Sequence, residues 1–295
     1  MKITKISDSG ITFTLDDLTN PDYYCPANVY TYNGDDHIFI CDGYFGPDIL
    51  EVVVKYLEKE FGDKPYVLFN SHWHWDHLRG NTYFDDATII SHQLTKKLII
   101  ENKNKSKVNG KYLHRKIILP NLSFEKEYIE FKKEDITFFH SPGHTEDSST
   151  CFDSRNNVLF AADNVEFPIP YVTSNDLSTY ISTLKKYLEF SVKSVIPSHG
   201  YVTDKSLIKS NLRYLENFPE IDIDMYTEDT KKSVLKGTIQ NLMTIGEDYF
   251  NKNNYEKAIF YYEKIFLIDV EENFLSKEKA KNHKRRLNEI KEKLK

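Results

Sequence analysis

The sequence predicts a mixed α/β domain whose sheets are covered by helices, followed by an all-helical C-terminal segment. Three observations carry this. Short β-like runs alternate with helix-period segments over residues 1–230, residues 231–295 read as helix, and the composition is that of a folded protein. A length of 295 residues, at about 100–200 per domain, accommodates a large domain at 1–230 and a small one at 231–295. Hydrophobic content of 40% with 28% charged residues excludes a wholly disordered or collagen-like chain.

The elements follow in order. Ile11-Thr12-Phe13-Thr14-Leu15 alternates side chains as a strand does, and Val29–Tyr32 followed by Asn33-Gly34 and His37–Cys41 reads as a hairpin on a turn-forming Asn-Gly. After Pro47-Asp48, the segment Ile49–Leu57 puts apolar residues at helical spacing. Tyr66–Phe69 and Thr88–Ile90 are buried-strand candidates, as are Ile136–Phe139, Val158–Ala161 and Val195-Ile196. Helices fit best near 93–102, 177–190 and 205–217. In the C-terminal segment Leu242, Ile245, Gly246, Tyr249 and Phe250 form one helical stripe, Asn253-Asn254 breaks it, and Tyr255, Ala258, Ile259, Tyr262, Ile265 and Phe266 form a second. Leu275–Leu294 reads as a basic capping helix.

Charge and cysteine usage narrow the classes. Residues 231–295 hold 15 Lys and Arg against 10 Asp and Glu, which leaves 24 against 35, a net of −11, for residues 1–230. So acidic a body repels a phosphate backbone, and general nucleic-acid binding is not expected. No run approaches the ~18 apolar residues of a membrane span, and Met1-Lys2-Ile3-Thr4-Lys5 has no apolar signal region behind its lysines. Three widely spaced cysteines, Cys25, Cys41 and Cys151, fit reduced thiols rather than a disulfide framework, so a cytoplasmic protein without a membrane partner is expected. One stretch departs from the acidic background. Lys103–Lys116 holds six bases and no acid, and a polar connection of that length is either a binding loop, with Lys107 and Lys111 as substrate contacts, or a solvated surface loop.

The chemistry sits directly after the strand at Tyr66–Asn70. Ser71-His72-Trp73-His74-Trp75-Asp76-His77 is the pattern HxHxDH, and imidazole and carboxylate are the donors that suit zinc or iron. Four such groups within six residues can converge on one or two ions. Three more polar residues occur where an apolar strand runs into a turn: His144 after Phe138–Gly143, Asp163 after Leu159–Ala162, and His199 after Val195–Ser198. Strand ends gather on one edge of a sheet, where sites are usually built, so these three can meet the first cluster.

In these motifs the sequence resembles the metallo-β-lactamase fold superfamily, whose pattern is HxHxDH, a His in a Pro-Gly-His turn, an Asp after a strand, and a final His. The resemblance covers about residues 10–220, including the early hairpin and Asp42. It implies a four-layer αββα sandwich with a dinuclear site for two divalent ions, zinc foremost with iron or manganese as alternatives. By position His72, His74 and His144 would hold one ion, Asp76, His77 and His199 the other, and Asp163 would bridge them. Two ions about 3.5–4 Å apart bring a shared water's pKa from ~15.7 toward ~7, giving a hydroxide nucleophile. The resemblance makes Asp76 the catalytic residue, orienting that hydroxide and passing a proton to the leaving group. The superfamily's true lactamases lack Asp163, flavodiiron oxidoreductases of this fold have Glu at the position of His74, and the nucleic-acid-processing branch has an inserted domain for which His144 to His199 leaves no room. What remains resembles the glyoxalase II and lactonase group, hydrolases of thioesters, esters or lactones. Arg79 and Glu166 stand where that group has other residues, so they join Tyr171 and Tyr201 as candidate substrate contacts.

Phosphodiester hydrolysis and a mononuclear iron dioxygenase remain alternatives on the same fold. A different class of alternative is a binding adaptor with a relic metal site, because Gly246, Tyr249, Ala258 and Tyr262 fall at the separations of one tetratricopeptide (TPR) repeat. Stacked repeats normally need about three units, so a lone one is expected to dock on the catalytic domain, on a second copy or on a peptide. His37, read as lying in a strand, and His92, His140 and His283 are expected to be structural or solvated. His114 and Tyr112 share the basic stretch, and Trp73 and Trp75 are expected to stiffen the ligand loop.

Overall fold

In a computed structural model, residues 1–15, 26–44, 46–84, 86–102, 118–272 and 274–294 are described. Two sheets stack face to face. The first holds β1 (Lys2–Lys5), β2 (Gly10–Leu15), β3 (Ala27–Asn33), β4 (Ile38–Cys41), β5 (Tyr66–Phe69), β6 (Thr88–His92) and β7 (Leu122–Phe124) in that spatial order. Its strands pair antiparallel as far as β4 and parallel beyond it. The second sheet runs β12 (Ser194–Pro197), β11 (Val158–Ala162), β10 (Ser149–Asp153), β9 (Ile136–His140), β8 (Tyr128–Phe131), with only β11 and β12 parallel. The helices are α1 (Pro47–Phe61), α2 (Trp75–Leu78), α3 (Gln93–Asn102), α4 (Leu177–Glu189), α5 (Lys205–Asn217), α6 (Glu228–Asn251), α7 (Tyr255–Glu272) and α8 (Lys277–Leu294).

Strand periodicity explains the layering. In β4, Ile38 and Ile40 join α1's Leu50, Val53 and Leu57 on the outer face, while Phe39 and Cys41 turn inward to Phe138 and Phe160 of the second sheet. In β11 the same alternation sends Phe160 inward and Leu159 and Ala161 outward to α4 and α5. The layers are therefore helix, sheet, sheet, helix. Buried hydroxyls fasten the two sheets: Tyr30 donates to Asp153 at 2.6 Å, and Tyr32 donates to the Glu134 carbonyl at 2.7 Å.

Each strand and helix expected within residues 10–217 is present. The hairpin differs in its turn. Asn33 pairs with Ile38, so the turn is Gly34–His37, and the buried Glu134 carboxylate closes it by accepting from the Asp35 and Asp36 amides and His37 Nδ1. His37 thus lies in the turn and not in the strand. Strands β1, β7, β8 and β10 escaped the sequence reading because polar residues interrupt them. In β10 Thr150 is buried by virtue of hydrogen bonds to Ser141 and Tyr187, not of apolarity.

Helices α6–α8 extend the core outside the second sheet: Leu159 and Val195 belong to one apolar cluster with Leu242, Ile265 and Ile290. The break at Asn253-Asn254 is a turn with Asn253 at φ 58°. At Gly246 a Cβ would stand 2.9 Å from the Tyr262 ring, so the absence of a side chain sets how closely α6 and α7 approach. No helix among the described residues is long and apolar enough to cross a membrane.

Two backbone hydrogen bonds at Gly43 hold the segment that carries the HxHxDH motif. The Gly43 amide donates to the His77 carbonyl at 2.9 Å, and the Gly80 amide donates to the Gly43 carbonyl at 2.7 Å. A Cβ on Gly80 would stand 2.8 Å from the Gly43 Cα and would overlap Leu50. Gly80→Ala is therefore expected to cost about 1–3 kcal/mol, as overpacking does. Urea unfolding should show a lower midpoint at unchanged slope.

Candidate metal centre

The site lies where the chain leaves β4, β5, β9, β11 and β12. After β5, Ser71–Asp76 loops over the strand end, and α2 turns Asp76 and His77 back toward it, with His74 as its extended N-cap residue. Asp42, just past β4, takes a left-handed φ of 65° that brings its carboxylate beneath this loop. It accepts from the Ser71 amide at 2.8 Å, the Ser71 hydroxyl at 2.7 Å and His77 Nδ1 at 2.8 Å. Because a carboxylate only accepts, His77 must carry its proton on Nδ1 and present Nε2 to the site. Ser71 Oγ, having donated to Asp42, lies 3.0 Å from His72 Nδ1 and accepts there, so His72 is oriented the same way.

The turn after β9 supplies His144. Its amide donates to Asn164 Oδ1 at 2.8 Å, its Nδ1 donates to the Tyr171 carbonyl at 3.0 Å, and the Thr173 hydroxyl donates to its carbonyl. Glu166 Oε1 is 3.7 Å from the same Nδ1. Asp163 follows β11, with its carbonyl held by the Tyr180 hydroxyl at 3.1 Å. His199 follows β12 and bridges to Ala27, and Tyr44 meets both His77 and His199 edge-on.

These supports bring seven side chains together as two groups, His72, His74, His144 and Asp163 in one, and Asp76, His77 and His199 in the other, with donor atoms in each within 4.8 Å of one another. Asp163 reaches both groups. Its Oδ2 lies 3.6, 3.2 and 3.6 Å from Nε2 of His72, His77 and His144, and its Oδ1 lies 3.7 Å from Nε2 of His199. His74 turns Nδ1 to within 3.1 Å of His144 Nε2. Three atoms in the middle, His72 Nε2, His77 Nε2 and Asp163 Oδ1, are buried without a hydrogen-bond partner. Each such atom costs about 1–3 kcal/mol unless something satisfies it, and converging imidazole and carboxylate lone pairs are what a divalent cation satisfies. The residues fit a metal.

The electrostatics divide the histidines, three held neutral by burial and His77 held as a cation that a metal ion would have to deprotonate. Burial holds His72 well below the ordinary histidine range, takes His74 down to about 3 and lowers His144, keeping all three neutral as ligands must be. At His77 burial works against the cation, but Asp163, Asp76 and Asp42 outweigh it and lift its pKa well above the usual value. Burial would raise Asp163, yet His77 and His199 hold it well below the usual carboxylate range. Burial pushes the Glu166 carboxyl up, with Asp163 adding to the shift.

Of the remaining expected site residues, Glu166 and Tyr171 border His144, the Tyr171 ring 5.8 Å from the imidazole. Arg79 lies with its guanidinium 5.4 Å from the Trp75 ring centroid and its Nε buried without a hydrogen bond. Tyr201 is about half exposed two residues beyond His199. Lys107 and Lys111, with Tyr112 and His114, lie outside the described residues. Trp73 packs its ring against His74, as expected of a residue that stiffens the loop. Sequence reasoning missed Ser71, Tyr44, Asn164, Thr173 and Asp147. Only Asn164, a polar residue directly after the strand-end Asp163, carried a signal. Asp147 is fully buried beneath the loop, and burial lifts its carboxyl to about 6 although the Thr145 and Thr95 hydroxyls lie beside it.

The family model of the metallo-beta-lactamase superfamily matches residues 24–199, and the chain belongs to that superfamily. Its members are typically hydrolytic metalloenzymes. Similar solved structures include a metallo-beta-lactamase from Pontibacter korlensis, 19% identical over 73% of this chain and 99% of that one with a TM-score of 0.61. The DIM-1 metallo-beta-lactamase exposed to ceftazidime is also 19% identical, over 73% of this chain and 96% of that one, with a TM-score of 0.61. A metallo-beta-lactamase from Hirschia baltica is 18% identical over 72% and 96%, with a TM-score of 0.58. At such identities the likeness is one of fold. Among curated proteins, a putative transcription factor avaE from Aspergillus versicolor is 24% identical over 42% of this chain, and the match spans 41% of that relative's length.

Asp147 gives a pH dependence with a definite sign. Its folded pKa of about 6 exceeds the ~3.9 of an unfolded Asp, so the folded state binds the proton more tightly and loses stability as pH rises from about 4 to 6. Asp147→Asn should remove that loss. Urea unfolding of both proteins at pH 4 and pH 7 should show the variant gaining relative to the parent at the higher pH; an unchanged difference would place the carboxyl's pKa near normal.

Proposed function

We propose that this protein is a dinuclear metallohydrolase, with zinc as the foremost metal, acting on a thioester, ester or lactone of a small substrate. The reading is supported above all by Asp163, a buried carboxylate within 4 Å of histidines from both ligand groups, with one oxygen otherwise unsatisfied. When bound, the ions would bring a water's pKa near neutrality and polarise the scissile carbonyl.

The chain's own residues supply the rest. Asp76, less buried than Asp163 and 3.5 to 4.0 Å from His77 and His199, is placed to accept a hydrogen bond from the attacking water and to deliver its proton to the leaving group. Asp42, Ser71 and the Tyr171 carbonyl hold His77, His72 and His144 in the tautomers that leave Nε2 free. A cysteine nucleophile is disfavoured for Cys41 and Cys151, because both thiols are buried between the sheets and burial pushes them up. Arg79, stacked on Trp75 three residues from Asp76, supports an anionic group on the substrate.

Purified protein should carry about two metal ions per chain, and chelation should remove hydrolysis of a thioester or lactone in a panel that also contains phosphodiesters. Asp76→Ala should lower kcat by about 10²–10⁴-fold with the fold intact by circular dichroism. Full activity after exhaustive chelation would overturn the proposal. One iron per chain with oxygen consumption would favour a dioxygenase, and cleavage confined to phosphodiesters would replace the substrate class.

A further inference from the structure

From α6 the side chain of Asn241, 1% exposed, reaches into the support of the site. Its Oδ1 accepts from the Val172 amide at 2.9 Å, and its Nδ2 donates to the Pro170 carbonyl at 2.9 Å and the Tyr214 hydroxyl at 3.0 Å. The Val172 N–H and the Tyr171 C=O belong to one planar peptide unit, and in a trans peptide they point in opposite directions. Asn241 therefore grips one side of the plane whose other side accepts from His144 Nδ1 at 3.0 Å. Glu166 Oε1 holds the Tyr171 amide at 3.2 Å, and Asp248, a further α6 residue, holds the Asn175 amide at 2.8 Å. The loop has little freedom to rotate its carbonyl away.

We propose that Asn241 is a positioning residue of the metal centre, orienting His144 through the Tyr171–Val172 peptide plane, so that α6 forms part of the active site. Hydrogen bonds in series polarise one another, so the amide acts on both the direction and the basicity of the imidazole. The inference rests on His144 being a metal ligand, as in the hydrolase reading, but not on any substrate.

The experiment measures zinc binding to the full-length protein in competition with a chromophoric chelator. Parent protein that binds no zinc would overturn the ligand assignment itself, separately from the role of Asn241. Given parent binding, Asn241→Ala should weaken one of two zinc ions about tenfold, at the low end of the ~10–100-fold seen when a ligand's hydrogen-bond partner is removed. Tyr214→Phe is the comparison, because it deletes another bond of the same amide and leaves the peptide plane gripped; zinc binding should stay within about twofold. Should Asn241→Ala fail to fold, Asn241→Ser, whose shorter hydroxyl does not span to the Val172 amide, should show the same selective weakening. Parent-like zinc binding in the Asn241 variant, or equal weakening by Tyr214→Phe, would reduce Asn241 to a structural role.

Discussion

Asp163 brings a carboxylate to a place only 5% exposed, where an ionised group costs several kcal/mol unless opposite charge and hydrogen bonds offset it. His77, whose pKa the surrounding carboxylates lift, meets part of that cost, and a bound cation would satisfy the carboxylate together with the lone pairs that the neutral His72 and His144 turn toward it. His77 stands 3.2 Å away with its proton fixed on Nδ1 by Asp42, and His72, His144 and His199 surround the same carboxylate. Each imidazole must keep its orientation for the arrangement to hold, so each is backed by an acceptor on its far side or by a backbone bridge. The architecture of the edge follows, since strands from both sheets must end at one level for these backings to coincide.

The candidate ligands were legible in the sequence because they are side chains of rare types at fixed separations, and four of them fall within six residues. Their supports were not legible, for two physical reasons. Several are main-chain groups, such as the Tyr171 carbonyl, which any residue at that position would supply. Others are common polar residues whose meaning comes from burial alone. Ser71 and Asn164 look like loop residues until the fold removes water from around them, after which each hydrogen bond they make becomes costly to lose.

The same distinction runs through the fold. Strands β4, β5, β6, β11 and β12 are buried on both faces and show as apolar runs, so they were found. β10 is also buried, but its Ser149 and Thr150 are accommodated by hydrogen bonds that depend on Ser71, Ser141 and Tyr187, all distant or hidden in the sequence. The hairpin was anticipated and its turn was not, because Glu134, about a hundred residues away, supplies the acceptors that stabilise a four-residue turn over the two-residue one that Asn-Gly favours. Long-range polar contacts are the information that a local pattern lacks.

Helices α6–α8 raise the question of how an appended segment relates to a catalytic site. An independent module would bury its own apolar stripe, yet Leu242, Ile245, Ala258 and Ile290 share one cluster with Tyr180, Leu184 and Tyr214 of α4 and α5. Detaching the helices would return that surface to water at about 25 cal/mol per Å². Release of the C-terminal segment is thus an expensive way to control the site. Asn241 and Asp248 also tie α6 to the loop backing His144 by hydrogen bonds whose strength depends steeply on angle, so the appended helices and that loop are held as one piece.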